Sequence, residues 1–235
     1  MIDFNGTRSD AVGVIVERYP QRPIPRRKSE KFSVPGRSGD IVAVQDAWDN
    51  VVQRYDIYVS AEIQGLPIVA AAAAQWLQTP GCGRLEDEYD RDVFRRAVYV
   101  GPVDLENTLN HFGRAVIEFD CDPRRFLKSG DLPVAMTNGG KLNNPTGFTA
   151  LPILRISGSG AGTVTVGSTT VSLTETDGVT IDCEEQECAR ETGGSVLNFN
   201  TGMTGSFPKL GAGISAVSWT GGVTGVEIVP RWWQL

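Results

Sequence analysis

Glycine and proline interrupt this chain of 235 residues so often that most of it can form only short extended segments. The 27 glycines and 13 prolines separate runs rich in Val, Ile, Thr and Tyr, the residue types that favour β-strands. Residues 66–77 differ, because Pro67 suits a first helical turn, five successive alanines have the highest helix propensity, and Thr79-Pro80-Gly81 ends the pattern. The sequence therefore predicts a mainly β fold with one helix.

A change in composition near residue 130 divides the chain into two predicted domains. Residues 1–128 contain 17 Lys and Arg against 19 Asp and Glu, whereas residues 129–235 contain 5 against 9 and hold 18 of the 27 glycines. Residues 129–145 are rich in Gly, Asn and Pro and lack periodicity, which predicts a linker. We therefore expect an N-terminal β domain over 1–128 and a C-terminal β-sandwich over 146–235.

The first predicted domain alternates strands with tight turns. Tyr55, Ile57 and Val59 occupy alternate positions of one strand and are expected to share a face. Residues 35–40 form a predicted turn, and Asp49-Asn50 is predicted to join the strands beside it as a hairpin. The strands are expected at 11–18, 31–34, 41–44, 51–60, 94–99 and 114–119, the last ending at Asp122-Pro123.

The second predicted domain contains shorter strands between Gly-rich turns. Gly167-Ser168 has the length of a two-residue hairpin turn. Residues 157–162 resemble a phosphate-binding loop in glycine content, but a strand follows them and they contain no Lys, so a hairpin loop is predicted. The strands are expected at 152–156, 163–166, 169–173, 179–182, 196–199, 214–219 and 223–229.

Charge and hydropathy argue against two classes of protein. The net charge of −6 disfavours dedicated nucleic-acid binding, because phosphate backbones attract basic surfaces. No apolar run approaches the roughly 18 residues of a membrane span. The first residues lack the basic and apolar regions of a secretory signal, so synthesis and solubility in a cytoplasm are expected.

The residue types that enzymes use are few and poorly spaced. Gly36-Arg37-Ser38-Gly39 lacks the spacing of a serine hydrolase, and the single histidine, His111, is more consistent with a turn than with a general base. Contiguous acidic runs favour solvated loops or faces over paired catalytic carboxylates. We predict no catalytic and no cofactor-binding residues. The acidic residues are Glu86, Asp87, Glu88, Asp90 and Asp92 in one run, and Glu184, Glu185 and Glu187 in the other.

The four cysteines do not predict a metal site. Cys183 and Cys188 are close in sequence, but Cys82 and Cys121 provide no matching second pair, and a zinc site needs four ligands. Both a local disulfide and free thiols are open for Cys183 and Cys188, and synthesis in a cytoplasm favours free thiols.

Two further segments have alternative interpretations. The basic residues of 22–28 are expected to form an exposed arm, and the functional alternative is contact with an acidic neighbouring subunit. Trp232 and Trp233 lie next to the end of the sequence, where exposed tryptophans would be a liability. Core packing is expected for at least one of them, with a subunit interface or a sugar platform as alternatives.

A series of weak motifs becomes specific through its order along nearly the whole chain. This order resembles the distal tail proteins, the Dit family, of long-tailed phages (siphophages). In the first half the motifs are Val34–Asp40, Tyr55-Asp56-Ile57, the helix 66–77, Pro80-Gly81 to Asp87, Phe94–Tyr99, Phe112-Gly113, Val116–Phe119 and Cys121-Asp122-Pro123. In the second half they are Asn144-Pro145-Thr146, 152–156, Ile181-Asp182, Phe207–Gly213 and Pro230-Arg231-Trp232.

The resemblance implies a fold and a structural role. It implies an N-terminal split-barrel-like β domain with one helix that forms a hexameric ring, and an outward-facing, galectin-like C-terminal β-sandwich. The ring would join the tail tube to the tail tip in the virion, after synthesis in the host cytoplasm. The implied partners are the other five copies, the tail tube protein, the tape measure protein and the tail-associated hub or fibre protein, with a receptor-binding protein in some relatives. The resemblance supplies no catalytic residue.

Two functions from other classes compete with this one. A carbohydrate-binding protein would use Trp219, Trp232 or Trp233 as a platform for host glycans. A hydrolase would use the acidic runs, with Asp87 and Glu184 as its candidate residues.

Overall fold

A computed structural model describes residues 1–60, 65–101, 106–109 and 112–235 of the chain. The chain forms two compact units, Met1–Arg125 with Leu235, and Phe126–Gln234. In chain order the strands and the helix are β1 Ile2–Phe4, β2 Thr7–Arg8, β3 Val14–Val16, β4 Arg27–Phe32, β5 Ile41–Trp48, β6 Val51–Ser60, α1 Leu66–Leu77, β7 Gly83–Asp87, β8 Val93–Tyr99, β9 Glu106–Leu109, β10 Phe112–Leu127, β11 Val134–Met136, β12 Gly140–Asn144, β13 Ile153–Val166, β14 Thr169–Leu173, β15 Val179–Asp182, β16 Glu187–Thr192, β17 Ser195–Asn198, β18 Met203–Gly205, β19 Gly213–Val229 and β20 Trp233–Gln234.

The first unit is a curled half-barrel of antiparallel strands in the order β2-β1-β7-β8-β10-β6-β3, with β9 beside β10. The inner face of this sheet carries Ile2, Phe4, Ile57 and Phe119, all at most 2% exposed. Tyr55, Ile57 and Val59 share this buried face, as the alternation in β6 predicted. The predicted fold class, mainly β with one helix in the first domain, is confirmed.

The helix α1 has the predicted bounds and covers the concave core. Its buried side includes Leu66, Val69 and Trp76. The indole N–H of Trp76 donates to the carbonyl oxygens of Phe4 at 3.3 Å and Thr7 at 3.1 Å. These bonds satisfy the polar atom of a buried aromatic side chain and attach the helix to the first strands.

The predicted hairpin at Asp49-Asn50 is wrong. The strand before these residues, β5, pairs with β4, whereas β6 pairs with β3 and β10. A strand enters a large sheet when one of its faces can be buried. Residues 41–46 of β5 are exposed at every position, whereas β6 buries alternate side chains. The strands therefore separate into different sheets.

Other strand boundaries of the first domain also differ from the prediction. The predicted strand 31–34 is shifted to β4 Arg27–Phe32, and the predicted strand 41–44 extends to Trp48 in β5. Only Val14–Val16 of the predicted strand 11–18 is extended, because residues 9–12 form a 3₁₀ turn that ends at Gly13, with φ of 75°. The strand β10 does not end at Asp122-Pro123 but continues to Leu127. Its ladder with β6 ends at Cys121, so Pro123, which has no N–H, lies beyond those hydrogen bonds.

Two long strands organise the second unit. β13 and β19 pair along most of their length, in a sheet ordered β11-β19-β13-β15-β16-β17. One half of β13 pairs with β15 and the other half with β14. Buried side chains occur in both halves, with Leu154 and Val166 unexposed. The predicted hairpin turn Gly167-Ser168 is confirmed by the pairing of Val166 with Thr169.

The predicted hairpin loop at 157–162 is wrong, because these residues lie inside β13. The register between β13 and β19 shifts on both sides of Gly158. A Cβ on Gly158 would lie 2.2 Å from the carbonyl oxygen of Gly222, and a Cβ on Gly222 would lie 1.9 Å from that of Ser159. Glycine is therefore needed here for the close approach of two backbones. The predicted strands 214–219 and 223–229 likewise form the single strand β19.

The predicted linker, residues 129–145, instead contributes β11 and β12 to the second unit, and both strands pair with β19. Gly139 and Gly140 form the turn between them, where the N–H of Gly140 donates to the carbonyl oxygen of Thr137 at 2.8 Å. Gly139 has φ of 80°. Tight turns between short strands and flexible linkers are both rich in Gly, Asn and Pro, so composition alone does not distinguish them. This similarity explains why a linker was predicted.

We expect Gly222→Ala to lower the free energy of unfolding by about 3 kcal/mol, because the added methyl group collides with the Ser159 carbonyl. The matched control is Gly225→Ala in the same strand, where a Cβ would meet nothing within 4 Å and stability should change by less than about 1 kcal/mol. Urea denaturation followed by tryptophan fluorescence measures both. Equal stability of the two variants would show that the close approach of β13 and β19 does not depend on glycine at position 222.

Candidate assembly surface

The strands β4 and β5 form a two-stranded sheet of their own, here called the exposed hairpin, Arg27–Trp48. Ser29 pairs with Val44, and the ladder runs to Phe32, which pairs with Ile41. The predicted turn at 35–40 is confirmed. Gly36 and Gly39 have φ of 80° and 81°, a conformation that glycine adopts without strain.

Every residue from 30 to 46 is exposed, although many of these residues are apolar. Phe32 and Ile41 are 50% and 43% exposed, and Val42 and Val44 are 50% and 59% exposed. Because side chains alternate along a strand, the first pair and the second pair lie on opposite faces. Both faces of the exposed hairpin therefore carry apolar side chains in solvent, which is typical of a surface that another protein covers.

The polar groups at the base of the exposed hairpin are satisfied locally. The Arg27 guanidinium pairs with Asp46 at 2.7 Å and lies 5.5 Å above the centroid of the Trp48 ring. The Gln45 amide donates to the Glu30 carboxylate at 3.0 Å. These contacts hold the two strands together and involve none of the four exposed apolar side chains described above.

The first acidic run has structural partners. The Asp87 carboxylate accepts hydrogen bonds from the Tyr55 hydroxyl at 3.0 Å and from the N–H groups of Tyr89 at 2.9 Å and Asp90 at 2.8 Å. Asp90 pairs with Arg125 at 2.7 Å. Burial and the neighbouring Asp87 charge raise the pKa of Tyr55 well above its usual value. Asp87 thus stabilises the turn after β7. Its carboxylate oxygens are occupied by these hydrogen bonds, whereas a catalytic carboxylate must be free to contact a substrate.

Asp182, just before the second acidic run, and Glu184 within the run both bind Arg231 in the segment before β20. Both Arg231 terminal nitrogens donate to Asp182 at 2.7 Å, and one lies 3.5 Å from Glu184. The N–H groups of Glu184 and Glu185 also donate to Asp182. Burial disfavours the Asp182 carboxylate, but the hydrogen bonds outweigh burial and lower its pKa. In the described part of the chain, no group of three or more His, Cys, Asp or Glu is placed to hold a metal ion.

Both tryptophans of the last segment are packed, which confirms the expectation for at least one of them. Trp232 is 5% and Trp233 is 9% exposed. The Trp233 ring stacks on Phe148 at 4.4 Å, and its N–H donates to the Thr149 carbonyl oxygen at 2.9 Å. These two side chains therefore do not form a sugar platform. Trp219 is half-buried. Its backbone N–H donates to the Asn138 side-chain oxygen at 2.9 Å, and its carbonyl oxygen accepts from the Asn138 side-chain N–H at 2.9 Å.

Two solved structures share this architecture, while no family model and no curated protein matches the sequence. The first is a crystal structure of Dit from phage SPP1, described as a paradigm of hub adsorption apparatus in Gram-positive infecting phages. It aligns with a TM-score of 0.73 and 10% identity over 100% of this chain and 98% of that chain. The second is the baseplate of phage p2 in its activated conformation with Sr, with a TM-score of 0.55, 10% identity, and coverage of 92% and 89%.

The chain has the Dit fold. The fold extends over both units, since the SPP1 Dit alignment covers the whole chain. The resemblance found in the order of the sequence motifs is thereby confirmed at the level of the fold. That the second unit is galectin-like stays a prediction.

Within this Dit fold the basic stretch 22–28 is largely exposed, as expected, although Arg27 and Lys28 begin β4. Arg22 donates to the Tyr89 carbonyl oxygen at 2.5 Å, and Ile24 is 90% exposed. Contact of this stretch with an acidic neighbouring subunit stays a prediction. His111 lies outside the described residues.

The four cysteines are free thiols, so the local disulfide between Cys183 and Cys188 is not formed. Burial raises the pKa of Cys183 to about 12 and that of Cys188 to about 11. Burial also raises the pKa of Cys121 to about 12. High pKa values keep these three thiols protonated and unreactive at neutral pH.

The sequence located the strand in which Val42 and Val44 lie but did not predict that both of its faces are exposed. A signal was present, because residues 41–44 are Ile, Val, Ala and Val without a polar alternate. Such a run is typical of a strand that is covered on both faces. When the chain itself provides no cover, the run indicates an interface.

We expect Asp182→Asn to lower the free energy of unfolding at pH 7 by about 2 kcal/mol, because it weakens the charge-assisted bonds from Arg231. A carboxyl group whose folded pKa lies below its unfolded value of 3.8 stabilises the fold above that value, and the stabilisation is lost as the pH falls through the folded pKa. The difference between wild type and variant should therefore shrink below pH 3.8. Urea denaturation at a series of pH values measures this difference, with Asp177→Asn, an exposed carboxylate of the same unit, as the control. A difference that stayed constant with pH would contradict the assignment.

Proposed function

We propose that this chain is a structural distal tail protein of a long-tailed phage, which forms a hexameric ring between the tail tube and the tail tip hub or fibre and performs no catalysis. The Dit fold supports the proposal, since two solved structures that share it come from a phage hub adsorption apparatus and a phage baseplate. The two candidate carboxylates of the hydrolase alternative both have structural partners, the Tyr55 hydroxyl for Asp87 and the Arg231 guanidinium for Glu184, which is consistent with a role that does not depend on reactivity.

The observation that carries the proposal is the exposed hairpin. A two-stranded hairpin is marginally stable on its own in water, and this one exposes apolar side chains on both faces. Identical subunits in a closed ring use a heterologous interface, in which an element of each copy contacts a different surface of the next. The exposed hairpin is suited to be such an element, because neither the half-barrel nor the second large sheet includes its strands.

The side of β6 and β10 that faces away from the core supports a passive role toward DNA. Its charges occur as pairs, including Arg54 with Glu118 at 2.7 Å and Arg114 with Glu17 at 2.7 Å. Paired charges and a net charge of −6 create no positive surface that would hold a phosphate backbone. A ring of these chains would let DNA pass without binding it.

The proposed partners follow from the same role. They are five further copies, the tail tube protein, the tape measure protein and the tail-associated hub or fibre protein, with a receptor-binding protein as an additional partner. The proposed location is the tail tip of the virion, after synthesis in the host cytoplasm. Among the described residues no helix has the length and apolar character of a membrane span.

We expect the purified chain to assemble into particles of about 152 kDa, six copies of a 25.4 kDa chain. The double variant Phe32→Lys/Ile41→Glu should have the mass of one chain. It removes the apolar pair while the new opposite charges, directly across the ladder, keep the two strands paired. Light scattering after size-exclusion chromatography measures the mass, and circular dichroism checks the fold.

The control is Val196→Lys, at a residue of the second unit that is 72% exposed, and this variant should keep the mass of six copies. A wild-type chain with the mass of a single copy at every concentration tested would contradict the hexameric ring. A double variant that still assembles would show that the exposed hairpin does not hold the ring together.

A further inference from the structure

A second uncharged surface lies on the first unit, along the outer side of α1. Residues 65–83 form a stretch of 19 residues without a single Asp, Glu, Lys, Arg or His. Ile68 is 58% exposed, and Ala71 lies at the centre of the outer side. Exposed helix faces in soluble proteins normally carry charged residues, so an uncharged outer side indicates a covered surface. The other exposed residues of this side are Pro67, Ala74, Gln75 and Gln78.

We propose that in the ring the Phe32 and Ile41 face of the exposed hairpin of one copy packs on the outer side of α1 of the next copy. This inference rests on the proposed ring and adds to it the two surfaces that meet. Each copy then provides one surface of each kind, which is what a closed heterologous ring requires.

Polarity selects the occupant of the helix surface. A charged surface placed against α1 would lose hydration and gain no counter-ion, because the outer side of the helix has no charge to offer. Phe32 and Ile41 form a cross-strand pair of the exposed hairpin in which both members are apolar. The same face also carries Ala43 and Glu30, and the Glu30 carboxylate accepts a hydrogen bond from the Gln45 amide at 3.0 Å. On the opposite face, Val42 lies across from Lys31 and Val44 across from Ser29. The Phe32 and Ile41 face is therefore the better match, because its two large apolar side chains lie directly across from each other and Glu30 is hydrogen-bonded within the hairpin.

The shapes of the two surfaces also agree. Alanine at the centre of the outer side leaves a shallow surface that a large Phe32 side chain can approach closely. The eight residues of β5 extend about 26 Å and the twelve residues of α1 about 18 Å, so the hairpin spans the helix. The contact would bury on the order of 400 Å² in total, well under the roughly 1,600 Å² of an independent complex. It is thus one part of a larger ring interface and would not hold two copies together by itself.

Cysteine cross-linking tests this contact in the full chain. The background variant is Cys82→Ser, which removes the exposed thiol and leaves the three buried thiols in place. In this background Phe32→Cys/Ala71→Cys should give, on mild oxidation, a ladder of covalent oligomers of up to six copies on a non-reducing gel. The matched control Val44→Cys/Ala71→Cys places the first thiol on the opposite face of the exposed hairpin and should give less than a tenth of the cross-linked product.

The mass of each variant before oxidation separates the two proposals. Assembly at the mass of six copies with a ladder for the Phe32 pair alone supports the contact. Assembly with no ladder for the Phe32 pair, or with equal ladders for both pairs, overturns the contact and leaves the ring proposal standing. If the Cys82→Ser background itself has the mass of one copy, as the wild type then should, the ring proposal fails and the contact fails with it.

Discussion

A two-stranded β-hairpin has too few neighbours in its own chain to bury both of its faces, and this constraint governs what the first unit can do. Phe32 and Ile41 on one face, and Val42 and Val44 on the other, lie in solvent. The half-barrel gains nothing from these side chains, because its own core is complete without them. The hairpin therefore becomes useful only when another molecule covers it, and in the proposed ring a second copy of the chain would provide that cover.

The second unit works by a different principle. Its long strands β13 and β19 approach so closely at Gly158 and Gly222 that no Cβ fits between them. The Arg231 guanidinium then clamps the last segment to Asp182, with Trp232 and Trp233 packed beside it. Close backbone contact and a satisfied ion pair hold the strands and the last segment of this unit together, which suits the structural role proposed above.

The sequence predicted elements whose local pattern and tertiary role agree, and it failed where they differ. The bounds of α1 and β6 were correct, because helix propensity with a proline stop, and strict alternation, leave little choice. Residues 157–162 and 129–145 were misassigned, since glycine serves close approach and turns in the same composition that marks loops and linkers. The sequence predicted a strand at 41–44 but not that both of its faces are exposed, because a sequence does not reveal whether an apolar strand is covered by its own chain or by another.

The central claim, that the exposed hairpin is covered by a neighbouring copy, is tested most directly by hydrogen exchange of residues 30–46, compared between assembled protein and a dilute single chain. The account predicts rapid exchange in the single chain, because a lone hairpin opens easily, and strong protection in the assembly. Equally rapid exchange of these amides in both states would contradict it.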